Sequence, residues 1–278
     1  MSAKAPASVR LAHAMPETVV SADGTPLALW RSGEGPPLAL VHGATADHSR
    51  WAPALPTLEE HFTVYNYDRR GRGESGDAAE YALAREFEDV VAIIESAGSE
   101  VNLLGHSHGA VCALEAALLT DRVRKLVLYE PPMGFLATPD HVVQELEALL
   151  QAGKRDELVA LFMREVAGLP PEQIEMLRSL PAWQARVAAA DTIPREERAN
   201  REYAWEPDRF RELTVPTMYL LGGDSPEMFR RAGDAVEAAL PDCRVVVMPG
   251  QTHAAIDAAT ELFVSEVLGF LDPPRAAA

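Results

Sequence analysis

The chain has 278 residues, 47% of them hydrophobic, with a formal net charge of −17. That apolar content supports one sizeable core with room for an insertion, and the acidic balance excludes nucleic acid and anionic membranes as partners. No apolar run reaches the roughly 18 residues of a transmembrane helix, residues 1–10 hold no secretory signal, and the two cysteines, Cys112 and Cys243, fit a reducing cytoplasm better than a disulfide framework.

In chain order, strands are predicted over 16–21 and 26–31, joined by an Asp23-Gly24 hairpin turn, and then over 37–41 and 63–67. A helix follows, in which Leu83, Phe87, Val91 and Ile94 recur at helical spacing and Glu86, Glu88 and Asp89 lie off that stripe. Strands are predicted again over 101–105 and 125–129. Repeated strand–helix–strand units mean an α/β fold, a mainly parallel sheet covered by helices on both faces. From Pro131 to about Thr214 strand patterning stops. Helical segments at 141–151, 155–165, 171–179 and 183–191 take over, punctuated by prolines. The sheet resumes over 216–221, followed by a helix over 226–240, a strand over 243–248 and a closing helix over 260–271. The chain thus divides into a core of residues 1–130 and 215–278 and a helical insertion of residues 131–214.

The strand over 101–105 runs straight into Gly105-His106-Ser107-His108-Gly109 and then an Ala/Leu-rich helix. Gly-x-Ser-x-Gly at a strand-to-helix turn is the context of a nucleophile elbow, which makes Ser107 a candidate nucleophile. The flanking glycines serve close backbone approach, and the helix N-terminus offers unpaired N–H groups to a developing anion. The alternative is a glycine-rich turn with an incidental serine. A serine needs a base, and His253 sits on the loop after the last strand, in Met248-Pro249-Gly250-Gln251-Thr252-His253. Upstream, Pro37-Leu38-Ala39-Leu40-Val41 is a buried-type strand ending in His42-Gly43-Ala44.

With these motifs in this order, from His42-Gly43 to the helix ending near Leu271, the chain resembles an α/β-hydrolase. Tyr67-Asp68-Arg69-Arg70-Gly71-Arg72-Gly73-Glu74-Ser75 is similar to the Asp-x-Arg-Gly-x-Gly-x-Ser loop of many members and is read as structural, its charges tying loops together. The resemblance implies a helical cap over 131–214. It also implies an oxyanion hole from the backbone amides of Ala44 and His108, each worth about 3 kcal/mol in the transition state. A serine nucleophile implies attack on an acyl carbon, with His253 as general base and no cofactor. Ester and lactone bonds head the substrates. The rival readings are a noncatalytic binding protein on the same scaffold and a biosynthetic acyl transferase of the thioesterase or cyclase type.

Two carboxylates compete for the triad acid. The family's usual acid follows the strand after the cap, but aligning Gly222 and Pro226 in Leu221-Gly222-Gly223-Asp224-Ser225-Pro226 puts Ser225, not Asp224, at that position. Glu130 ends the strand after the nucleophile helix, where certain dehalogenases and lactone hydrolases carry their acid, and Pro131-Pro132 pins it. Both strand tips open on the same carboxyl edge of the sheet. Glu130 is favoured. Asp224 stays as the alternative, with a turn or helix-capping role otherwise.

His42, His106 and His108 invite a metal reading, yet no carboxylate or thiolate stands at ligand spacing beside them, so no metal is expected. His42 is expected instead to pack or hydrogen-bond beneath the oxyanion loop and His106 to shape the pocket wall, both kept as candidate substrate-binding residues. In the insertion, Met133 and Trp183 are the leading substrate contacts, with Phe135, Leu136, Phe162, Met163 and Met176 as further lining. No arginine cluster there suggests an anionic ligand, so the expected partner is a small, mostly apolar ester or lactone. A homodimer is admitted but not required.

Overall fold

The computed structural model describes residues 15–133, 138–179 and 182–271. One sheet holds eight strands: β1 (Glu17–Val20), β2 (Pro26–Ser32), β3 (Pro37–Val41), β4 (Thr63–Tyr67), β5 (Val101–His106), β6 (Val123–Tyr129), β7 (Thr217–Gly222) and β8 (Cys243–Met248). Their spatial order is β1-β2-β4-β3-β5-β6-β7-β8. β1 pairs antiparallel with β2, β2 antiparallel with β4, and all pairs beyond are parallel. The predicted hairpin turn is present, with Gly24 at φ +89°, a conformation open to glycine at little cost.

Strand alternation sorts side chains onto two faces. Ala39, Val41, Leu103, Leu126, Leu128, Tyr219 and Leu221 face one core, with Val90 and Ile93 of helix Leu83–Ser96, helix His108–Ala116 and Val236 of helix Glu227–Ala239. Leu38, Leu40, Leu104, Val127, Tyr129, Met218 and Leu220 face the other, with Leu55 and Leu58 of helix Leu55–Glu59 and Phe263, Val264 and Val267 of helix Thr260–Leu271. Because both faces are covered, β5 and β7 are buried at every position, the pattern expected of central parallel strands. β3 has β4 on one side and β5 on the other, so the chain reverses direction across the sheet there. The crevice at such a switch point lies at the carboxyl ends of the strands. His42-Gly43 leaves β3 there, and Ser107 leaves β5.

Among the described residues, five α-helices lie between β6 and β7, Asp140–Gln151, Arg155–Glu165, Pro171–Arg178, Ala182–Ala188 and Thr192–Glu202, followed by a short 3-10 turn at Pro207–Phe210. Their own core contains Leu146, Leu158, Leu161, Phe162, Trp183 and Ile193. The fifth helix was not predicted, because Pro194 reads as a stop. In fact Pro194 occupies the first turn, where a missing N–H removes no helical hydrogen bond. A second correction concerns Glu86 and Asp89, expected off the apolar stripe. Both are fully buried. They share the inward face with Val90 and Ile93, where arginines of the preceding loop neutralise them. Among the described residues no helix is long and apolar enough to cross a membrane.

Candidate active site

Ser107 is half-buried and held at φ 55°, ψ −126°, between the end of β5 and the first turn of helix His108–Ala116. Its backbone N–H donates to Tyr129 O at 2.8 Å, locking the turn to β6. The flanking glycines are dictated by space. A Cβ on Gly105 would stand 2.5 Å from Ala110 Cα, and one on Gly109 would stand 2.3 Å from the His42 carbonyl oxygen. Four non-glycine residues among those described have positive φ, namely Thr45, Ser107, Glu130 and Met133. Three of them, Thr45, Ser107 and Glu130, follow β3, β5 and β6 within a few residues of the strand ends, and Met133 comes three residues after Glu130. Such backbone strain gathers where surrounding structure must hold a functional geometry.

The structure resolves which carboxylate meets the histidine. Glu130 Oε2 lies 2.6 Å from His253 Nδ1, while Glu130 Oε1 accepts the Gly222 N–H at 2.7 Å. The Glu130 side chain is fully buried, and that of His253 is 30% exposed. Asp224, by contrast, is exposed, and its own N–H donates to Gln251 O at 2.8 Å in a turn at the tip of β7. Asp224 is therefore a turn residue. The N–H at the tip of β7, that of Gly222, goes to Glu130 instead.

The His253 loop is braced from three directions. Phe229 stacks on the imidazole at 4.5 Å with an interplanar angle of 11°. His106 lies 4.6 Å away, centroid to centroid, with its Nε2 3.2 Å from the His253 carbonyl oxygen. Tyr129 accepts the Ala255 N–H at 3.0 Å on its hydroxyl, which itself donates to Thr252 O. Burial and the neighbouring His253 hold the His106 imidazole well below the usual histidine range, so His106 is neutral. It braces the His253 loop.

On the other side, the Gly43–Ala44 peptide is held by its carbonyl. His42 Nε2 takes the Arg69 N–H at 3.1 Å, so this nitrogen is the acceptor and the ring proton sits on Nδ1. That proton is donated to Gly43 O at 2.9 Å, and Arg69 Nη1 donates to the same oxygen at 3.2 Å. Burial, with Arg69 and Arg72 nearby, keeps His42 neutral. Two donors on a carbonyl fix the plane of its amide and polarise the N–H across it, and here that N–H belongs to Ala44. His42 is fully buried and hydrogen-bonds beneath the loop, as its first reading expects, which leaves it no exposed surface for the substrate contact also entertained for it. The His108 N–H opens the helix after the elbow, where no intrahelical acceptor exists.

Arg69 belongs to a buried ionic cluster that sequence reading placed only as loop ties. Its guanidinium grips Glu86 through two bonds, 3.0 and 2.7 Å, and reaches Glu196 of helix Thr192–Glu202 at 3.4 Å. Arg72 bonds Glu196 and, at 3.0 Å, Thr192 Oγ1. Burial pushes the Glu86 and Glu196 carboxyls up, but the arginines outweigh it and hold both ionised. The His108 ring lies against this cluster, driven down to about 4 by burial and Arg69. The inserted helices are thereby wired to both sides of the elbow. Glu86, Asp89 and Val90 at helical spacing on one face were the available sequence signal. Glu196 carried none.

Other expectations fare differently. Trp183, proposed as a substrate contact, is 1% exposed in the core of the inserted helices, its Nε1 donating to Asp156 at 2.6 Å, so its one polar atom is spent on packing. Phe162 and Met163 belong to that same core, and Met176 is exposed. Met133 is buried in the main core with a positive φ. Phe135 and Leu136 lie outside the described residues. One trio among the described residues, Asp47, His48 and Asp68, brings ligand atoms within 4.8 Å of one another. Its members are engaged in a loop clasp, with Asp68 Oδ1 taking both the N–H and Nδ1 of His48 at 2.8 Å and Asp47 capping Ser49.

The profile of the alpha/beta hydrolase family matches residues 38–266. The chain belongs to this family. The α/β hydrolase of Sphaerobacter thermophilus is 37% identical, with a TM-score of 0.78 over 89% of this chain and 100% of that one. RutD of Shigella flexneri, a protein named for carbamate hydrolysis, is 26% identical over 80% of this chain and 85% of its own length. The esterase of Exiguobacterium antarcticum, at 22% identity, shares the hydrolase fold with a TM-score of 0.73 over 92% of this chain and 99% of that one.

Proposed function

We propose that this hydrolase cleaves a carboxylic ester or lactone through an acyl-enzyme on Ser107. The observation that carries the reading is the buried Glu130 carboxylate on His253 Nδ1, in a chain whose Ser107 is held at positive φ on an elbow. Glu130 fixes the imidazole tautomer with Nε2 free to accept the Ser107 proton, and it stabilises the imidazolium that results. Ser107 Oγ attacks the carbonyl carbon. The Ala44 and His108 amides hold the oxyanion, each contributing about 3 kcal/mol. His253 then returns the proton to the leaving oxygen, and water, activated by the same histidine, releases the acid. The helices between β6 and β7 act as a cap. The chemistry as written needs no cofactor.

The test is labelling with a fluorophosphonate probe, with p-nitrophenyl esters of graded chain length turned over in parallel. Labelling and turnover are expected in the native protein and absent in Ser107→Ala. A folded native protein that takes no label would favour the noncatalytic accessory reading. A carbamate carbonyl suits the same machinery, and the kinship with RutD makes it a second reading that a p-nitrophenyl carbamate in the panel decides.

A further inference from the structure

Among the described residues, every buried or half-buried arginine but one carries a carboxylate partner. Arg69 has Glu86, Arg70 has Asp89, Arg72 has Glu196, Arg50 has Asp257 and Arg195 has Asp77. Arg122, Arg155 and Arg178 are paired likewise. Among the described residues, Arg186 is the half-buried arginine without one. Its Nη1 donates to Thr45 Oγ1 at 2.7 Å and to Thr45 O at 3.2 Å, both neutral acceptors. Thr45 follows Ala44 in the loop over Ser107 and has a positive φ of 57°. Arg186 comes from helix Ala182–Ala188 of the cap, so one cationic side chain spans from cap to oxyanion loop.

A second cation, Arg50, acts on Arg186. Arg50 precedes Trp51, whose ring meets His106 edge-on at 6.5 Å, and it bonds Asp257, four residues beyond His253. The charges of Arg50 and Arg186 both bear on His106 and on each other. Burial and Arg50 together push the Arg186 guanidinium down to about 10. Two carboxylates also bear on Arg186, and both are engaged elsewhere: Asp257, 56% exposed, bonds Arg50, and Asp47 accepts the Ser49 N–H. A desolvated cation facing another is a costly arrangement unless an anion completes it.

We infer that Arg186, supported by Arg50, receives a carboxylate of the substrate, so that the natural substrate is an acyl compound bearing a free carboxylate a few bonds from the scissile carbonyl. The planar guanidinium fork matches a carboxylate, and Nη1 already anchored on Thr45 leaves the rest of the fork for it. The local field prevails over the chain's net charge of −17 because distant surface charges are screened within about 8–10 Å. This substrate class rests on the acyl-enzyme reading above and adds to it a specificity-determining residue contributed by the cap.

The experiment compares p-nitrophenyl hemiglutarate with its methyl ester, an uncharged analogue, and reads the ratio of their kcat/KM values. The native enzyme is expected to favour the hemiester at least tenfold, with the ratio falling as salt rises. Arg186→Gln should bring the ratio to about one or below, and Arg186→Lys should retain part of it. A native ratio at or below one overturns the inference. So does a ratio unchanged in Arg186→Gln while both rates fall, since Arg186 would then merely prop Thr45. Binding of glutarate to Ser107→Ala, measured by titration calorimetry, separates this idea from the mechanism. Binding that Arg186→Gln abolishes supports the subsite even if neither ester turns over, and binding that survives in Arg186→Gln overturns it.

Discussion

Replacing Glu130 by glutamine keeps the size of the side chain and inverts its hydrogen-bond logic. The native carboxylate accepts twice, from the Gly222 N–H at 2.7 Å and on the His253 Nδ1 side at 2.6 Å. An amide has one oxygen. If that oxygen stays on Gly222, the NH₂ faces Nδ1, the ring proton is driven to Nε2, and His253 can no longer take a proton from Ser107. If the oxygen turns to Nδ1, two donors face each other in a fully buried site. The charge that balances the imidazolium is lost in both cases. A charge-assisted hydrogen bond is worth roughly 1.5–3 kcal/mol and an unpaired buried donor costs about 1–3 kcal/mol more, so the barrier rises by about 3–5 kcal/mol. At about 1.4 kcal/mol per decade that is roughly a 10²- to 10⁴-fold loss in kcat. The assay is p-nitrophenyl acetate turnover, with thermal melting as the control for folding. Asp224→Asn, at an exposed turn, should stay within about threefold of the native rate. A folded Glu130→Gln protein with less than a tenfold loss, or an Asp224→Asn protein that loses as much, would refute the assignment of the acid.

Other perturbations address the supporting structure. Glu197 is buried, and burial raises its carboxyl to about 7 from an ordinary 4.5, against a hydrogen bond from Thr138 at 2.6 Å. The folded state therefore holds this proton more tightly than the unfolded one, and its contribution, complete below pH 4.5, is lost as pH rises towards 7. Glu197→Gln should raise the melting temperature at pH 8 and leave it unchanged near pH 4.5, and equal shifts at both would contradict this. His42, His106 and His108 are all held below their ordinary value by burial. Unfolding between pH 6.5 and about 4 should consequently take up protons, and urea stability should fall steadily over that window at up to about 1.4 kcal/mol per pH unit for each histidine. A flat profile would mean that these rings are not buried neutral. Arg69→Met strands the buried Glu86 and leaves Glu196 with Arg72 alone, and is expected to cost about 3–5 kcal/mol in urea unfolding. A cost under about 1 kcal/mol would show that the cluster does not stabilise the elbow.

Much of the fold was legible because its signals are local. Strand boundaries at 37–41, 63–67 and 243–248 are set by apolar runs between turn residues, and they match the structure to the residue. The elbow was legible because Gly105 and Gly109 are demanded by backbone contacts a few residues away. Glu130 could be proposed from its place at a strand tip, though only the register of β6 against β7 brings it to His253. What stayed hidden depends on long-range pairing. Glu86 reads as a solvent-facing charge until Arg69 is placed beside it, and Pro194 reads as a break until it is seen in a first turn. Trp183 looked like a pocket residue because an aromatic at a helix start says nothing about which side it faces, and its bond to Asp156 turns it inward. Arg186 drew no notice, since the absence of a partner cannot be read from a sequence.

The central claim is a covalent acyl-enzyme on Ser107, and rapid-quench mass spectrometry during turnover of a p-nitrophenyl ester tests it most directly. The account predicts a mass increase equal to the acyl group, mapped to the peptide containing Ser107, that accumulates and then decays as substrate is exhausted. It should be absent from Ser107→Ala. Turnover without an adduct, or an adduct on another residue, would contradict it.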